Sequence, residues 1–142
     1  FFEEFERDSK IVLIGRERYS NFGDKLGLKN FFHLVTHASK TADQYDLIKD
    51  KAINEHRDYL DNRDKYKRIV YFGATGATSR ALFGELHGKM EGNVVMIDVG
   101  RALDVYYRLD RVYVPNTPEW GYEWCYSFDP SWIAQKCPYV IR

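Results

Sequence analysis

The sequence predicts an α/β fold: an open, mostly parallel sheet of about four strands, with flanking helices and an aromatic-rich C-terminal extension. Three observations lead there. Short apolar runs recur at 11–15 (IVLIG), 31–36 (FFHLVT), 68–72 (RIVYF) and 93–99 (NVVMIDV). Segments with helical spacing separate the later ones, which is the alternation of parallel strands and crossover helices. The stretch 68–101 holds one whole unit: strand, glycine-bearing loop, helix, and a second strand ending on an acid.

Each element has its own justification. The run at 11–15 is apolar, β-rich and closed by Gly15, as a buried parallel strand should be. Residues 16–25 are polar and contain Asn21-Phe22-Gly23-Asp24, a turn signal. A short helix is expected near 24–28, and a second strand at 31–36. A long helix is expected to start at Thr41 and end near Leu60. Ala42, Tyr45, Ile48, Ala52, Ile53, His56 and Tyr59 fall on one stripe, opposite Asp46, Asp50, Lys51 and Asp58. A helix so divided packs one face on a sheet and wets the other. After the charged connection 61–67 come a third strand at 68–72, a helix over about 78–90, and a fourth strand at 93–99. Pro115, Pro118, Pro130 and Pro138 punctuate the last part. It reads as loops, short strands and a helical turn wrapped on the body.

The chain has 142 residues, one domain's worth, with a body over 1–109 and an extension over 110–142. It carries 21 basic and 21 acidic residues and no long basic run, so no nucleic-acid footprint is indicated. No apolar stretch approaches the roughly 20 residues of a membrane-spanning helix. No signal peptide is visible, and a cytoplasmic location is expected. The start, Phe1-Phe2-Glu3-Glu4-Phe5, reads as a processed product or a piece of a longer protein, with which this domain could be in contact. Cys125 and Cys137 lack the spacing of a structural zinc site. Two reduced thiols are expected, one disulfide being the alternative.

The loop Gly73-Ala74-Thr75-Gly76-Ala77-Thr78-Ser79 is the chemical signal. Small residues let backbone approach a ligand, and Thr78 or Ser79 can cap the helix that follows. The N–H groups of a first helical turn carry partial positive charge and suit an anion, naturally a diphosphate. Arg80 could add a charge-assisted contact. The plain alternative is a tight turn with a hydroxyl cap and no ligand.

The loop resembles the GATGxxG loop of short-chain dehydrogenases and related NAD(P)-binding proteins. That likeness implies a ribose contact for Asp98 and, from Arg101, a preference for a 2′-phosphate. Ser79 stands at the third glycine position, the motif lies halfway along the chain, and no Tyr-x-x-x-Lys pair follows. A second likeness covers more residues. The order strand, Arg18-bearing loop with Asn21-Phe22-Gly23-Asp24-Lys25-Leu26, strand, helix entered by Lys40-Thr41-Ala42-Asp43-Gln44-Tyr45-Asp46, strand, Gly73–Ser79 and Asp98-Val99-Gly100-Arg101 runs over some hundred positions. It resembles the C-terminal half of the GT-D type bacterial glycosyltransferases, Rossmann-like enzymes that use nucleotide sugars. Arg101 stands where that family has His, and Tyr107 where it has Glu. The family's metal-associated Asp-x-Glu motif lies in a portion preceding the matched one.

That resemblance implies a nucleotide-diphosphate sugar as donor and a glycan or glycoprotein as acceptor. It implies Mn²⁺ or Mg²⁺ as a possible companion, with ligands from outside this chain. The expected catalytic acids are Asp98 and Asp104. The expected phosphate-binding set is Arg16, Glu17, Arg18, Gly73, Thr75, Gly76, Thr78, Ser79 and Arg101. The coarse fold alone collects most of these, because strand C-terminal ends are where open α/β sheets bind ligands. Each has a plain alternative. Asp98 could cap a turn, Asp104 could be a solvated helix residue, Arg101 could pair with Asp104, and Arg16 and Arg18 could be surface charge. Trp120 and Glu123, in the run Glu119–Tyr126, suit sugar stacking and hydroxyl recognition, or else loop packing. The other two functional readings are an NAD(P)-binding module and a non-catalytic interaction domain.

Overall fold

A computed structural model of the chain describes residues 8–37, 40–100 and 102–103. Arg101, Asp104, Tyr107, Trp120, Glu123, Cys125 and Cys137 lie outside them. The elements below all belong to Phe1–Gly100, the first of two compact units; the second is Arg101–Arg142.

Strand β1 spans Ser9–Arg16, β2 Phe31–Thr36, β3 Arg68–Gly73 and β4 Val94–Asp98. Helix α1 is the single turn Phe22–Lys25, α2 is Tyr45–Asp61 and α3 is Ala77–Leu86. The four strands are all parallel, in the order β2-β1-β3-β4. This is an open, Rossmann-like α/β sheet, as the sequence predicts.

The order dictates where the helices go. Parallel crossovers are right-handed. The steps β2 to β3 and β3 to β4 run in one direction, so α2 and α3 share a face. The step β1 to β2 runs the other way, so α1 lies on the opposite face. Side-chain alternation agrees with this. Val12 and Ile14 of β1, Leu34 of β2 and Ile69 and Tyr71 of β3 pack with Ile48, Ala52 and Tyr59 of α2 and Leu82, Phe83 and Leu86 of α3. On the other face Phe22 of α1 meets the Phe31 ring, 5.9 Å between centroids. Both faces of the central strands are buried: Ile11, Leu13, Val70 and Phe72 are 1% exposed or less.

Element boundaries shift for local reasons. Strand β1 starts two residues before the apolar run because Lys10 is drawn into the core. Its ammonium pairs with Glu55 at 2.7 Å and with Asp58, both on α2, and lies 4.5 Å from the centre of the Phe32 ring. The long helix begins with a tighter turn, Ala42–Gln44, before α2 proper. Its entry is fixed by Thr41 Oγ1 donating to the His37 carbonyl at 2.9 Å and the His37 N–H donating to Gln44 Oε1 at 2.8 Å. Ala42 is exposed, whereas Ile48, Ala52, His56 and Tyr59 carry the buried stripe. Helix α3 stops at Leu86, short of residue 90. His87 leaves helical ψ and Gly88 takes φ 77°, a left-handed geometry that favours glycine. No helix among the described residues is long and apolar enough to cross a membrane.

Candidate functional site

Strand order reverses between β1 and β3, and the C-terminal ends of the strands at such a switch point are where open α/β sheets bind ligands. The two ends are bound together: Ile14 pairs with Gly73 in register, and the Ala74 N–H donates to the Ile14 carbonyl at 2.8 Å. Gly15, Tyr19 and Ala74 meet there. A Cβ on Gly15 would come 2.8 Å from Tyr19 Cδ2 and 3.4 Å from Ala74 Cβ. Glycine at this point lets the Tyr19 ring close down on the strand end.

The chain leaves β1 through Arg16, Glu17 and Arg18, all exposed. Glu17–Tyr19 form a tight 3₁₀ turn. The Arg18 guanidinium lies 5.1 Å over the buried Tyr19 ring and donates to its hydroxyl at 3.0 Å. Beside this turn His33 on β2 donates from Nε2 to the Gly15 carbonyl at 3.1 Å. A carbonyl can only accept, which fixes the proton on Nε2. Burial holds the His33 pKa below the ordinary 6.5, against the raising effect of the backbone bonds.

The chain leaves β3 through the glycine loop. Gly73 is required by packing: a Cβ there would lie 2.5 Å from Ser79 Cβ and 2.8 Å from Phe83 Cε2. Helix α3 therefore sits close on the strand. Gly76 is required by conformation, with φ 62° and ψ −125°, a region that suits glycine alone. Ser79 is fully buried, and its Oγ accepts the Thr75 N–H at 3.0 Å and bonds the Thr75 hydroxyl. It braces the loop from within. Neither Thr78 nor Ser79 caps the helix. The residue before α3 is Gly76, so among the described residues no side chain caps the N–H groups of its first turn. Thr75, Gly76 and Thr78 are partly exposed around it.

Asp98 ends β4, paired in register with Gly73. Its Oδ2 lies 2.5 Å from Arg80 Nε, and its Oδ1 accepts the Gly100 N–H at 2.9 Å. The structure thus brings Gly73, Thr75, Gly76, Thr78, Ser79 and Asp98 to one end of the sheet. Arg16, Glu17 and Arg18 stand at the neighbouring strand end. Asp104, Arg101, Trp120 and Glu123 fall outside the described residues.

Two features escape a reading of the sequence. Ser79 faces inward, and Arg80 reaches across to Asp98. The i to i+18 separation of that pair leaves no periodic trace. Among the described residues no group of three His, Cys, Asp or Glu side chains could hold a metal ion. No family model matches the chain, and no curated protein or solved structure shows significant similarity to it.

Proposed function

We propose that the chain is a glycosyltransferase-type domain that binds a nucleotide-diphosphate sugar and transfers the sugar to an acceptor hydroxyl on a glycan or glycoprotein. One observation carries the reading. At the switch point of the sheet, a glycine with φ 62° leads into a ten-residue helix whose first-turn N–H groups have no side-chain cap among the described residues. Uncapped N–H groups and the positive end of a helix dipole suit a diphosphate. Exposed Arg16 and Arg18 stand on the adjoining strand end. The likeness in element order to GT-D enzymes names the sugar nucleotide among diphosphate ligands.

The chemistry follows from what such a transfer needs. The bond from the anomeric carbon to the diphosphate oxygen breaks, and negative charge grows on the leaving nucleotide. N–H groups and guanidinium donors already in place stabilise that charge. The acceptor oxygen bonds the anomeric carbon, and its proton passes to a carboxylate, for which Asp98 and Asp104 are the candidates. The described residues do not fit a divalent ion, so Mn²⁺ or Mg²⁺ would take its ligands from elsewhere. The dinucleotide alternative asks Asp98 to accept a ribose hydroxyl beside the bonds that its oxygens take from Arg80 and the Gly100 N–H.

Thermal unfolding with UDP-, GDP- and dTDP-sugars, each with and without Mn²⁺, against NADPH tests this reading. A ligand of the native state raises the midpoint. The proposal expects a rise with a sugar nucleotide. A rise with NADPH alone favours the dinucleotide module, and no rise with any favours a non-catalytic domain.

A further inference from the structure

We infer that Asp98 is a positioning residue and that Arg80, which it holds, is the group that touches the ligand's phosphates. The inference rests on the nucleotide reading above and changes the assignment of roles within it.

Asp98 spends one oxygen on Arg80 Nε and the other on the Gly100 N–H. A carboxylate so engaged is tied into the end of β4 and holds the guanidinium in place. Arg80 is differently placed. It is the fourth residue of α3, and its side chain is 73% exposed. A guanidinium has five N–H donors in a planar fork, and Asp98 takes the one on Nε. The four donors of the two terminal nitrogens bond no group among the described residues. They present the geometry that matches phosphate oxygens two at a time. Because Asp98 already holds the side chain, binding orders it further by little. Asp98 is the anchor and Arg80 the contact.

The test is calorimetric titration of the full chain with UDP, GDP and dTDP, using whichever the unaltered protein binds. Arg80→Met, Asp98→Asn and the exchange Arg80→Asp with Asp98→Arg are compared, each with its thermal midpoint. Arg80→Met is expected to weaken the nucleotide about tenfold or more, the loss of a charge-assisted bond. Asp98→Asn is expected to weaken it less, because the cation remains but is no longer aimed. The exchange is expected to restore the midpoint without restoring affinity, which a merely structural ion pair would not do. Unchanged affinity in Arg80→Met overturns the inference. So does a larger loss in Asp98→Asn, or full affinity in the exchange variant. Binding of no nucleotide by the unaltered chain removes the nucleotide reading itself, and the inference with it.

Discussion

At the scale of single residues, the core's main commitment is Lys10. It has no exposed surface and pairs with Glu55 and Asp58, whose side chains are 24% and 52% exposed. The asymmetry predicts unequal mutants. Removing the carboxylates in Glu55→Gln with Asp58→Asn leaves an ammonium buried without a counter-charge, which costs about 3–5 kcal/mol. Lys10→Met keeps the stem's packing and leaves only partly wetted acids unpaired, so its loss in urea denaturation is expected to be clearly smaller. The reverse order would mean that the ammonium is not what needs the pair. Gly76 makes a second commitment. Nothing lies within 4 Å of a Cβ built there, so the loss in Gly76→Ala comes from φ 62° alone, about 1–3 kcal/mol.

His33 sets a pH dependence at the same scale. Its folded-state pKa lies below the unfolded 6.5. Between those two values the unfolded chain binds more protons, so stability falls as pH drops through that window and levels off above it. His33→Gln is expected to flatten this part of the stability–pH curve, measured by urea unfolding from pH 5 to 7.5. An unaltered slope would assign it to other groups.

At the scale of elements, the sequence reveals what burial alone decides. The four strands, the crossover helices and the inner stripe Ile48, Ala52, His56 and Tyr59 are legible because apolar periodicity reports which side faces the core. Partners across space are not legible. Lys10 looks like the polar residue before a strand, and Asp58 like part of a solvated face; only the register of α2 over β1 brings them together. Helix α2 is tied to α3 in the same hidden way. The Tyr45 hydroxyl donates to Glu85 at 2.6 Å, and Lys49 reaches the same carboxylate at 3.3 Å. The tyrosine bond, then the lysine, hold the Glu85 pKa below its ordinary range despite partial burial. In Tyr45→Phe the Glu85 carboxyl is therefore expected to titrate at higher pH, read from its side-chain carbon resonance. No movement would mean that the Tyr45 hydroxyl does not bond Glu85.

At the scale of the whole molecule, the site is a consequence of strand order. Placing β1 at the centre with β2 and β3 on either side makes the connections diverge, and brings the glycine loop and the Arg16–Arg18 turn to neighbouring strand ends. The sequence shows the loop and the turn but not that their strands are neighbours, since more than fifty residues separate them. The most direct measurement is backbone amide NMR of the chain titrated with UDP, GDP and dTDP. The account predicts that the largest shifts cluster at residues 73–80, with a second group at 16–18. Shifts confined to other surfaces, or no shifts with any of the three, would contradict it.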